Sequence, residues 1–169
     1  MFDRGCFPWF ALRVRSRHEK MAGSLLESRG YEPFVPLYRS RRKWSDRIQA
    51  VDLPLFPGYV FCRFNPATKG AVLATPGVVD IVGFGRGCAE VDEEEIDALR
   101  KVCDNELECE PCEDHPLAGE TVRIDDGPLA GLEGKVVEVK RSLRLVLSVT
   151  LLQRSVLVEI DRAWVTPTD

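Results

Sequence analysis

The feature that most constrains this 169-residue chain is a change of rhythm near residue 105. Before it, alternating apolar stretches take turns with amphipathic helical ones. After it come only short β-branched runs broken by turn residues. Residues 10–15 alternate as a strand, and Ser16 with Glu19 has the spacing of a capping box opening a helix. Met21, Leu25 and Leu26 give that helix its apolar stripe, and Gly30 stands where a glycine ends a helix. Residues 34–38 and 59–64 read as strands, with 39–51 between them as a polar, basic loop or hairpin arm. Asn65-Pro66 opens a short helix to about Ala74, Thr75-Pro76-Gly77 turns the chain, and 78–84 is the next strand. Asp92 and Glu95 cap a further helix whose Ile96, Leu99 and Val102 face inward. The order is βαββαβ with an extra helix, a split βαβ, ferredoxin-like arrangement.

From 105 to 116 the periodicity dissolves into acids, two prolines and two cysteines, the composition of a linker. Strands then follow at 120–124, 134–140, 144–151 and 156–160, with a fifth at 163–166, as in a small antiparallel β-barrel. The fold class expected is therefore α+β, with an N-terminal domain over 1–104, an acidic linker over 105–116 and a barrel over 117–169.

Charge divides along the same line. Residues 1–85 carry 13 basic and 7 acidic side chains, and 86–169 carry 10 and 20, within a whole of net charge -4. Nucleic-acid contact must therefore be local to the first half rather than a property of the whole molecule. No window approaches the roughly 20 apolar residues of a membrane helix, and 7–12 is too short and too soon charged for an export signal. A cytoplasmic monomer is expected, with its six cysteines reduced.

Catalytic machinery is not evident. Neither His18 nor His115 stands in a nucleophile-elbow, HExxH or paired-carboxylate setting, so no enzyme is expected. Cys103, Cys109, Cys112 and His115 can be drawn as a zinc knot. They lack two properly spaced ligand pairs, and incidental thiols are the expectation. Gly83-Phe84-Gly85-Arg86-Gly87 has no helix directly behind it and is followed by carboxylates that repel phosphate, so a plain turn is expected. No cofactor is called for.

Three segments read as binding surfaces. Arg13, Arg15, Arg17 and His18 form a basic edge. Arg41, Arg42, Lys43 and Trp44, flanked by Arg39 and Arg47, join phosphate-pairing groups to an aromatic able to stack on a base. In Pro54-Leu55-Phe56-Pro57-Gly58-Tyr59-Val60-Phe61, the prolines and glycine fix the entrance to a strand that turns Tyr59 and Phe61 to one face. Such a cluster is core if covered and a partner anchor if exposed.

Trp9-Phe10-Ala11-Leu12-Arg13-Val14, Phe56-Pro57-Gly58-Tyr59, Thr75-Pro76-Gly77-Val78 and the barrel opening Gly119-Glu120-Thr121-Val122-Arg123-Ile124-Asp125-Asp126-Gly127 occur in the order of the NusG family of transcription elongation factors. The resemblance spans nearly the whole chain and implies a NusG-type N-terminal domain, a linker and a KOW domain, a small SH3-like β-barrel. It implies a non-catalytic factor that docks on the clamp helices of RNA polymerase and raises processivity, with Phe56, Tyr59 and Phe61 as contacts. It places Arg13, Arg15, Arg17 and His18 where RfaH-like relatives touch the non-template DNA strand. The wording around both basic segments resembles those specialised paralogues more than the general factor. Where RfaH-type proteins carry His-Thr-Thr, this chain has Thr68-Lys69-Gly70. Leu152, beside Leu151, stands where housekeeping members present an aromatic to Rho or ribosomal protein S10. An alternative from another class is a KOW-type RNA- or ribosome-binding protein with no polymerase role.

Overall fold

A computed structural model describes residues 7–44, 47–85, 87–112 and 119–167, with the backbone alone at 41–44. The chain forms two compact units, one of Met1–Pro36 with Phe56–Glu93, the other of Leu37–Leu55 with Glu94–Asp169.

In the first unit, β1 (Trp9–Val14), α1 (Glu19–Ser28) and β2 (Glu32–Phe34) are followed, after the excursion 37–55, by β5 (Tyr59–Arg63), α2 (Lys69–Leu73) and β6 (Val78–Ile81). The strands pair antiparallel in the order β2-β5-β1-β6. β5 thus lies between the two strands that α1 connects, which is the split βαβ expected. Because successive side chains alternate faces, Phe10, Leu12 and Val14 of β1 and Val60 and Cys62 of β5 share one face, where with Phe64 they form one core with Ala22, Leu26 and Val72 of the two helices. Gly23 belongs to this contact: a Cβ there would stand 2.7 Å from Val35 Cγ2. The Asn65 reading holds, since its side chain accepts the Ala67 N–H at 3.0 Å and Pro66 opens the following turn.

Two local readings do not hold. Ser16 and Glu19 make no capping box. Arg17 takes a left-handed φ of 67°, α1 begins at Glu19, and His18 caps it without a side-chain hydrogen bond. The strand expected over 78–84 stops at Ile81. Gly83–Phe84 (β7) then folds back on Gly87–Cys88 (β8), and Glu90–Val91 (β9) returns to pair with Trp9 and Phe10. Around Gly85, φ +61°, glycines allow this reversal that an uninterrupted strand would forbid.

In the second unit the basic excursion is a regular hairpin, β3 (Leu37–Trp44) on β4 (Arg47–Pro54), in register from Leu37 opposite Pro54 to Trp44 opposite Arg47. Helix α3 spans Glu93–Asp104, and six strands follow. These are β10 (Cys109–Cys112), β11 (Glu120–Ile124), β12 (Glu133–Val139), β13 (Ser142–Val149), β14 (Arg154–Ile160) and β15 (Val165–Pro167). They pair antiparallel in the order β10-β14-β13-β12-β11-β15. Val122, Ile124, Leu129, Leu145, Val149, Val156 and Val158 are buried. Gly127 has a φ of +82°, and a Cβ on it would lie 2.8 Å from the Trp164 ring, so this turn requires glycine twice over.

The linker expectation needs correction. Within 105–116, residues 109–112 are a strand: Cys109 pairs with Val158 and Cys112 with Ser155. Pro111 lacks an N–H, which excludes it from a central strand but suits an outer one, and the acids that mimic a linker are equally suited to an edge. The arm 37–55 and residues 94–104 also group with the C-terminal strands, so the compact units do not coincide with a cut at the acidic segment.

Candidate functional site

The second face of the N-terminal sheet carries the candidate site. Phe56-Pro57-Gly58-Tyr59 is a type II turn, with Pro57 and Gly58 at its centre, Gly58 at φ +85° and the Tyr59 N–H donating to Phe56 O at 3.0 Å. Thr75-Pro76-Gly77-Val78 repeats this design, with Gly77 at φ +92° and Val78 N–H to Thr75 O at 3.1 Å. Both turns hold the end of β1: Val14 N–H donates to Gly58 O and Arg15 N–H to Gly77 O, each at 2.9 Å. A third bond closes the arrangement, from Gly58 N–H to Glu19 Oε1 at 2.9 Å.

The expectation that Phe56, Tyr59 and Phe61 all reach solvent is corrected. Phe56 is 1% exposed and Phe61 is 0%, and only Tyr59 is half-buried. The register gives the reason. Phe61 lies mid-strand between Ala11 and Phe34, stacks on Phe34 at 6.3 Å and meets the Phe56 ring edge-on at 5.5 Å. Tyr59 stands at the end of β5 opposite Arg13. Of the three aromatics expected at the surface, Phe56 and Phe61 are packed and Tyr59 is accessible.

Around Tyr59 the chain brings together the basic edge read from the sequence. Arg13 is half-exposed and faces Asp80 at 3.4 Å, a surface pair of small energetic weight. Arg15 and Arg17 are exposed, and His18, half-buried, uses Nδ1 to donate to Ser16 O at 2.9 Å. At the other end of the same face the Arg63 guanidinium lies 4.8 Å over the Trp9 ring and pairs with Glu93 at 2.5 Å and Glu32 at 3.9 Å. That end is closed by its own charges.

Arg41, Arg42, Lys43 and Trp44 belong to the other unit. They stand on β3 opposite Ala50, Gln49, Ile48 and Arg47, and their side chains lie outside the described residues. Leu151 and Leu152 are half-buried in the turn Thr150–Leu152 between β13 and β14, where the Thr150 N–H donates to Glu95 Oε2 at 2.8 Å.

Sequence reasoning missed Glu19 and Arg63. Glu19 had a local explanation in its spacing from Ser16, and nothing local indicates a glycine N–H 39 positions away as its partner. Arg63 announces itself only as a cation ending an apolar strand.

Cys62, Cys103 and Cys109 are held in their protonated form. Burial, with Glu32 nearby, pushes Cys62 up to about 12, and burial, with Cys103 and Glu110 nearby, pushes Cys109 up to about 12. Burial likewise raises Cys103, whose Sγ lies 3.8 Å from Leu37 O. Among the described residues no three His, Cys, Asp or Glu side chains gather as metal ligands, and His115 lies outside them. No helix among them is long and apolar enough to cross a membrane.

Residues 7–100 match the family described as "Transcription termination factor nusG". The transcription termination/antitermination protein NusG of Escherichia coli K12 is 31% identical over 138 residues, covering 77% of this chain and 71% of that protein. Its namesake from Pseudomonas aeruginosa is 31% identical over 153 residues, covering 88% and 86%. A solved structure of Thermotoga maritima NusG superposes with a TM-score of 0.59 at 20% identity over 96% of this chain and 97% of that one, a likeness of fold.

Proposed function

The chain belongs to the NusG family of transcription factors, and from that premise we propose that it is an elongation and antitermination factor docking on the clamp helices of RNA polymerase through the Tyr59 end of its N-terminal sheet. The observation that carries this reading is Tyr59 itself. It is a partly accessible aromatic on a proline-glycine turn, between buried Phe56 and Phe61 in the chain, whose rings pack edge-on against each other. A rigid aromatic of this kind loses little freedom on binding and makes a strong anchor.

Docking favours the closed, processive state of the polymerase to the extent that the factor binds it more tightly than the open, pausing one. Arg13, Arg15, Arg17 and His18 take the non-template strand, pairing guanidinium groups with its phosphates. The hairpin arm, with Arg41, Arg42, Lys43 and Trp44, is a further nucleic-acid contact. The turn carrying Leu151 and Leu152 recruits a second partner to the KOW domain, ribosomal protein S10 or Rho, through aliphatic rather than aromatic contact. None of these roles calls for bond-making chemistry.

Single-round transcription across a pause and a Rho-dependent terminator tests the reading. Wild-type protein is expected to shorten the pause and raise read-through, and Tyr59→Ser to do neither. Pausing and read-through unchanged by the wild-type protein overturn it.

A further inference from the structure

We infer that Glu19 is a positioning residue for the docking turn: its buried carboxylate fixes the central peptide of Phe56-Pro57-Gly58-Tyr59 and so sets how Tyr59 is presented. The inference rests on the docking role proposed for Tyr59.

Glu19 is 5% exposed, the one acidic side chain among the buried polar residues described. Removing a carboxylate from water is costly, and an apolar side chain at such a site is often neutral or better for stability. Its presence therefore points to a geometric task. That task is visible at Gly58. In a type II turn the central peptide stands across the plane of the turn, so the N–H of the third residue is not used by the bond that closes it. Gly58 N–H instead donates to Glu19 Oε1 at 2.9 Å, while Gly58 O accepts from Val14 N–H at 2.9 Å.

The two peptide planes that meet at Gly58 are thus each held, the central one through its N–H by the first residue of α1 and the following one, Gly58–Tyr59, through its carbonyl by the last residue of β1. Without the carboxylate, the N–H of the central peptide loses its partner, and only the following peptide keeps its bond to Val14. Tyr59 follows immediately and its backbone N–H closes the same turn, so its entry into β5 is set by the orientation of these peptides. The side chain that fixes the turn also directly follows His18, tying the basic loop and the aromatic anchor to one helix end.

The test titrates the full-length protein with the isolated clamp helices of RNA polymerase. Glu19→Gln keeps a carbonyl acceptor at the same reach and is expected to bind within twofold of wild type. Glu19→Ala is expected to bind about tenfold more weakly while its circular dichroism and thermal midpoint report a folded protein. The Gly58 amide proton resonance should hold its position in the Gln variant and move upfield in the Ala variant. Wild-type affinity in folded Glu19→Ala overturns the inference, as does equal loss in the Gln and Ala variants. Should Glu19→Ala not fold, Glu19→Asp, one methylene short of Gly58, takes its place with the same expectation and the same contrary result. Tyr59→Ser separates the two layers: wild-type affinity there removes the docking role, whereas loss there beside full affinity in Glu19→Ala removes only this inference.

Discussion

Residues of one chemical type play opposite parts in this site, and burial decides which. Phe61 is sealed between Phe34 and Phe56, so Phe61→Ala should cost about 3–5 kcal/mol by urea denaturation, the range for deleting a buried ring. Tyr59→Ser removes a half-buried ring and should cost only about 1 kcal/mol, leaving a folded protein whose binding can be read directly. Alternation along β5 indicates that residues 59 and 61 share a face. It does not indicate that Ala11 and Phe34 flank the second of them and cover it, because that is a property of two other strands. Cys62 supplies a pH test. Its thiol is pushed up to about 12 when folded, so the protonated form is favoured in the native state. That contribution is complete below the unfolded thiol value, near 8.5, and is lost as pH rises from about 9 towards about 12. The urea midpoint should fall over that window, and it should fall less steeply in Cys62→Ala.

Elements were legible where their causes are local. The presence of α1, the asparagine-proline opening before α2 and the two proline-glycine turns depend on neighbours a few positions apart, whereas the expected stripe of α1 is corrected: Met21 is exposed, Leu25 half-buried, and the packed face is Ala22, Gly23 and Leu26. β10 was not legible, because a short acidic segment containing Pro111 becomes a strand only when the edge of β14, more than forty residues on, accepts it. The start of α1 misled for a related reason: the Ser16 and Glu19 spacing is correct, but Glu19 has a better use across the fold. The packing of α1 gives a prediction whose sign is set by two competing effects. Alanine for glycine inside a helix ordinarily stabilises by about 1 kcal/mol. At Gly23 the new Cβ would stand 2.7 Å from a stiff, β-branched Val35. Overpacking should win, so Gly23→Ala lowers stability by about 1 kcal/mol. Adding Val35→Ala should recover the loss; additive destabilisation in the double variant would contradict the contact.

Across the whole molecule, the sequence conveyed the two fold types and their order, but not the compact units. Membership of a unit depends on which strands and helices meet, and the hairpin arm and the body of α3 group with the C-terminal strands. The charge division has its own consequence. With a net charge of -4, any affinity for nucleic acid must come from a few placed cations. Each phosphate neutralised on a single strand contributes about -0.7 to the slope of log affinity against log salt. Replacing Arg15 and Arg17 together by glutamine should therefore flatten that slope by about 1.4 for single-stranded DNA. An unchanged slope would place the contact elsewhere. The central claim is that a partly accessible tyrosine, held on a proline-glycine turn between two buried phenylalanines, is the grip on the polymerase. Its most direct test is the dissociation constant for isolated clamp helices, measured with wild-type protein and with Tyr59→Ser of confirmed fold. The account predicts a loss of at least tenfold, and equal constants for the two proteins would contradict it.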